Sequence, residues 1–187
     1  MTGLNRRLLV ALTVSAVTGV GLGAAIASPP SPTIKEKLGR AEALTVRPAL
    51  NGAGPVYAAR SARAAARLRA GSVPLPAGGT FNGVRWEQAG GAVTQHDIDL
   101  VLQYNAVCQW LRAWRDGRDA TTAARVLQEA PSWSAIRGTD SAGWLTRVAA
   151  DVNAGGGEAA SAVLADCDAS HASEVAYAKG LNLTPSR

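Results

Sequence analysis

The sequence predicts an all-α fold: a small bundle of about four short helices behind a short β strap. Three observations carry this. Beyond residue 94 the apolar residues recur at helical spacing in four separate runs. Asp, Gly and Pro stand between those runs, where caps and breaks belong. Only Thr80–Thr94 alternates with a period of two, as a half-buried strand does.

Ahead of the bundle, Asn5-Arg6-Arg7 precedes Leu8–Ala27, twenty residues without a charge that close on Ala25-Ile26-Ala27. A basic start, an apolar core and small residues at the end make an export signal. The same run is long enough to span a ~30 Å hydrocarbon core as a retained helix. Residues 1–27 therefore read either as a cleaved signal peptide or as a single transmembrane anchor. Both readings keep Arg6 and Arg7 inside and export the rest, as a secreted or membrane-anchored extracytoplasmic protein.

Residues 28–79 read as a Pro/Ala/Arg-rich stalk. Ser28-Pro29-Pro30-Ser31-Pro32 favours polyproline II. Thr33 caps a short helix that places Ile34, Leu38, Ala41 and Leu44 on one side. Asn51-Gly52-Ala53-Gly54-Pro55 is a break, and Val56–Ala70 has strong helix propensity with Gly71 to end it. Its apolar residues are mostly Ala, so its amphipathic character is weak. Ser72–Gly79 is a loop.

The globular extracytoplasmic domain is expected over residues 80–187, beginning with the strap or hairpin of 80–93. Val84 and Trp86 alternate there with Arg85 and Glu87, between Asn82-Gly83 and Gly90-Gly91. The first helix spans roughly 94–116. Thr94-x-x-Asp97 resembles a capping box. Leu100, Val101, Tyr104, Val107, Cys108, Leu111 and Trp114 share one stripe, and Ile98 and Leu102 lie nearly opposite. A helix apolar on two sides belongs at the centre of its bundle. Asp119 caps the second helix, roughly 119–130, which Pro131 stops. Asp140 caps the third, roughly 141–152, with Trp144, Leu145, Val148 and Ala149 inward. Gly155-Gly156-Gly157 leads to the fourth, roughly 158–169, with Ala160, Val163, Leu164 and Cys167 on one stripe. Pro185 argues against helix at the end.

Cys108 and Cys167 are the only cysteines. In an exported chain such a pair forms a disulfide, here joining the central helix to the last.

Charge excludes one class of partner. The chain carries a formal +5, but residues 28–70 hold eight basic residues against two acidic, and residues 71–187 hold nine against twelve. The basic excess sits ahead of the globular part, so no nucleic-acid interface is expected. If the apolar run stays in the membrane, Lys35, Lys37 and Arg40 lie near anionic head groups or wall polymers at the surface. The bias toward Ala, Gly and Arg is what a GC-rich bacterial genome produces.

Candidates for chemistry are few. His96 stands among acids at a helix start, and His171 follows Asp166 and Asp168 with Glu174 beyond it. Neither has a metal-ligand spacing, so no metal is expected, and no P-loop or dinucleotide fingerprint points to a cofactor. No G-x-S-x-G is present. Trp86, Trp110 and Trp133 form a candidate binding surface, weighed against core packing. The function expected is a non-enzymatic module that binds an envelope protein or a cell-wall polymer. The alternatives are a small envelope hydrolase using carboxylates such as Glu87, Asp97/Asp99 or Asp166/Asp168, and a small-ligand carrier.

Overall fold

The computed structural model describes residues 46–47, 55–88 and 91–187. The export or anchor segment 1–27, the 33–44 helix, and Lys35, Lys37 and Arg40 lie outside the described residues.

The chain is mostly helical, with a small antiparallel sheet ahead of the bundle. The sheet has strand order β1-β2-β3, with β1 Val46–Arg47, β2 Val56–Ala58 and β3 Ala92–Thr94. Val56 faces Thr94 and Tyr57 faces Val93 across the ladder. The helices are α1 (Ala59–Ala70), α2 (Gln95–Arg115), α3 (Ala120–Glu129), α4 (Asp140–Asn153) and α5 (Glu158–Gly180).

Three of these elements differ from the sequence reading. The strap expected over residues 80–93 is strand only at 92–94; Trp86–Gln88 forms a 3-10 turn instead. Its partner is residues 56–58, which helix propensity assigns to a helix. Val56 and Tyr57 are good strand formers, but three residues pairing across more than thirty leave no local alternation. The last helix runs to Gly180 rather than ending near 169. Ala, Ser and Asp dilute its stripe, and contacts with α2 and the 80s loop carry it on.

Residues 55–79, expected as the end of a stalk, pack into the body. Ala62, Ala65 and Ala66 of α1 are buried against Ile98, Leu102 and Ala106 of α2, with Tyr57, Val73, Trp86 and Val93. Small alanine faces let two helices approach closely, so α1 needs no large side chains to bury.

The opposite side of α2 forms the second core. Val107, Trp110 and Leu111 meet Val126 and Leu127 of α3, Leu145, Val148 and Val152 of α4, and Val163 and Cys167 of α5. The central position that the two-sided pattern of α2 predicts is what the structure shows. Thr94 and Asp97 form a complete capping box at its start. Asp119 caps α3, while Thr139, one residue earlier than expected, is the N-cap position of α4. Cys108 and Cys167 lie at disulfide distance, with Cα atoms 5.3 Å apart, and so tie α2 to α5.

Candidate functional site

Trp86 and Trp110, two of the three tryptophans that the sequence offers as a binding surface, are buried. Trp110 donates its Nε1–H to Pro74 O at 2.9 Å, which satisfies its polar atom against the 72–79 loop. Trp133 is half-buried and packs against both cores. For Trp86 and Trp110 the structure shows core packing, the reading weighed against a binding surface: in a body this small, indoles supply bulk that the many alanines do not.

Of two shallow concavities among the described residues, one, about 470 Å³, is an open surface between α3 and the end of α4; the more enclosed lies beside Trp86. It is a half-open cleft of about 280 Å³, between α1 and the 71–86 loop, and its lining is mostly apolar. Leu75, Phe81 and the edge of Trp86 form its floor, with Ala66 and Ala70 from α1. Arg67 stands exposed at its rim. Arg60, Arg67 and Leu68 share the outer face of α1, and Leu68 is 76% exposed. Among the described residues, Arg60 and Arg67 enter no ion pair. The cleft thus joins an apolar floor to one guanidinium, that of Arg67, with no ion-pair partner among the described residues; Arg60 lies outside its lining.

Its walls are set by buried polar groups. Arg63 is only 4% exposed. Its Nη2 donates to Val84 O at 2.8 Å and to Glu87 Oε2 at 3.0 Å, its Nη1 to Asn82 O at 3.2 Å, and its Nε to Glu87 Oε1. One guanidinium therefore fixes α1, the loop and the 3-10 turn together. Tyr177 of α5 donates its hydroxyl to the same Glu87 carboxylate at 2.9 Å, and Arg85 lies over the Tyr177 ring. Burial alone would raise the Glu87 carboxyl pKa. The hydrogen bonds from Arg63, the turn backbone and Tyr177, with the Arg63 charge, outweigh burial and hold it below the usual carboxylate value. Burial, and then the bond to Glu87, push the Tyr177 phenol upward.

Two buried glutamines of α2 treat loops as strands. Gln109 accepts Thr80 N–H at 3.2 Å and donates to Thr80 O at 2.8 Å, which fixes the wall of the cleft. Gln103 accepts Ala135 N–H at 3.0 Å and donates to Ser134 Oγ at 3.1 Å. From the far side, Thr184 O accepts from Thr80 Oγ1 at 3.2 Å and from Asn82 Nδ2 at 2.8 Å. Gly83 is pressed against Glu174 so closely that a Cβ there would stand 2.7 Å from the Glu174 Cβ.

The carboxylates named for hydrolase chemistry are held by different partners. Asp97 Oδ2 accepts Thr94 N–H at 2.9 Å, Asp99 pairs with Arg69, Glu87 with Arg63, and Asp168 with Arg115 at 2.5 Å. Asp166 and His96 are exposed. Among the described residues no three His, Cys, Asp or Glu side chains converge as a metal site would require.

One group has no structural partner to explain it. Arg112 of α2 is 3% exposed, and its Nη1 reaches only Cys167 O at 3.4 Å. Among the described residues, its Nε and Nη2, and the buried Nδ1 of His171, have no hydrogen-bond partner. Burial lowers the Arg112 pKa, against the raising pull of Glu174 and Asp168. Burial, and then the Arg112 charge, lower the His171 pKa. Neither Arg63 nor Arg112 is legible as buried, because nothing in the sequence marks a buried arginine apart from its place on an otherwise apolar stripe.

Among the described residues no helix is long and apolar enough to cross a membrane. No family model, no curated protein and no solved structure matches this chain.

Proposed function

We propose that the chain is an extracytoplasmic, disulfide-tied binding module, secreted or anchored through residues 8–27, and that it engages a segment of another envelope protein. The apolar cleft with Arg67 in its lining carries this reading. Such a cleft suits an apolar side chain followed by a carboxylate: the side chain displaces water from Leu75, Phe81 and Trp86, and the acid meets the Arg67 guanidinium. A volume of about 280 Å³ is near the lower limit of ligand pockets, about 300–1,000 Å³, and fits a peptide anchor better than a polysaccharide. The disulfide-distance cysteine pair supports an oxidising compartment.

The test is titration of the isotopically labelled protein with short acidic peptides that each carry one aromatic or branched aliphatic residue, monitored by NMR. Binding is expected to move the resonances of Arg67, Phe81 and Trp86. Arg67→Glu should abolish those shifts without altering the melt. Shifts confined to other surfaces, or unchanged by Arg67→Glu, would overturn the assignment. Binding instead to soluble glycan fragments would favour the cell-wall component over the protein partner.

A further inference from the structure

We propose that Arg112 and His171 form an acid-sensitive latch between α2 and α5, which holds residues 171–187, and through them the cleft wall, only while the imidazole is neutral.

The geometry is that of a buried guanidinium and a half-buried imidazole whose inward nitrogens have no hydrogen-bond partner among the described residues. The Arg112 guanidinium is sealed under α5 with Nε and Nη2 unpartnered, and the unpartnered Nδ1 of His171 is buried at the same interface. Cys167, His171, Glu174 and Ala178 succeed one another along one stripe of α5. A neutral imidazole offers a lone pair and no charge, which a buried cation tolerates. A protonated imidazole would offer only donors and a second positive charge.

The facing charges are Arg112 and Arg115 from α2, and Asp168 and Glu174 from α5 itself. Both acids are already engaged, Asp168 by Arg115 and Glu174 by Asn105 Nδ2 at 3.1 Å. Asn105 is a neutral donor, so Glu174 keeps its charge; its pull on a protonated His171 is outweighed by burial and by the Arg112 charge. Burial and the Arg112 charge together make the closed latch resist the proton, whereas a released segment accepts it at about pH 6.5. The free energy holding the latch shut thus falls as pH drops below that value. It stops falling once the closed form is itself protonated.

The disulfide pair confines the response. Cys167 keeps the first half of α5 on α2, so loosening is limited to the second half of the helix and the C-terminal tail. That part carries the Tyr177 bond to Glu87 and the Thr184 carbonyl that receives Thr80 and Asn82. Arg187 N–H also reaches Gly78 O at 3.4 Å. Thr80 and Asn82 line the cleft. Acidification would then loosen one wall of the cleft without unfolding either core. Only this last consequence rests on the binding reading above.

The test is hydrogen exchange read by mass spectrometry on the intact, oxidised chain at about pH 7.5 and about pH 5, corrected for intrinsic rates. Residues 171–187 and 78–84 should exchange several-fold faster at the lower pH, with 98–111 unchanged. His171→Gln, neutral throughout, should abolish the difference. An equal pH response in His171→Gln would overturn the latch. Should that variant fail to fold, NMR titration of the unmodified protein decides. The ring of His171 and the amides of Tyr177 and Thr184 must move with one midpoint, and separate midpoints would overturn the proposal. Exchange behaving as expected, with no peptide moving the cleft resonances, would leave the latch standing and remove the binding reading.

Discussion

Arg63 shows what a single side chain does here. It is buried, and its donors are distributed over a carboxylate and two backbone carbonyls drawn from one loop. Arg63→Ala leaves Glu87 without its cation and two carbonyls without donors. Removal of one member of a buried ion pair costs about 3–5 kcal/mol. The Glu87 side chain is still about a quarter exposed, so a loss near the lower bound, about 3 kcal/mol, is expected in a urea melt. The same pair sets an acid dependence. Because the folded pKa of Glu87 lies below its ordinary value, its contribution is present above the unfolded carboxyl pKa and is lost as pH falls through the folded one. Urea midpoints measured between about pH 6 and pH 3 should fall in the natural protein. They should fall less in Glu87→Gln, which starts lower.

At the level of the element, the helices divide by how much contrast their sequences carry. The start of α2 is legible because Thr94 and Asp97 form both halves of a capping box. Thr94→Ala should lower stability by about 1 kcal/mol, read as a shift in the thermal midpoint. The start of α5 is different. Gly157 has no side chain to cap it, and the Asp151 carboxylate of α4 accepts Ala160 N–H at 3.1 Å instead. A Cβ at residue 157 would collide with that carboxylate. Gly157→Ala should therefore destabilise by about 1–2 kcal/mol, and Asp151→Ala by about as much, with the double variant less than additive in the same melts. Nothing in Gly155-Gly156-Gly157 points to Asp151, since the cap crosses from another helix. The helices α2, α3 and α4 are readable because large apolar residues stand out from polar neighbours. The packing of α1 is not, because an alanine stripe looks alike whether buried or solvated. The candidate site is harder still to read: the sequence leaves Trp86 between a binding surface and core packing, and shows Arg67 only as part of a basic stalk.

At the level of the whole molecule, one helix serves two cores and one cysteine pair ties it to the last helix. Joining residues 59 apart contributes about 4 kcal/mol by the chain-entropy estimate. Reduction, or replacement of both cysteines by Ser, should remove an amount of that order, a large share of what a domain of this size possesses. Calorimetry with and without reductant checks this, and a reduced protein that melts unchanged would remove the cysteine pair from the account of stability.

The clamps from residues 177 and 184 onto Glu87, Thr80 and Asn82 also govern the order of events at the ribosome. The first core cannot be completed while the segment that braces it is still being synthesised. Contacts spanning ninety residues or more make closure a late step. The folding rate of the first core is therefore set by its most distant brace rather than by the helices that fill it.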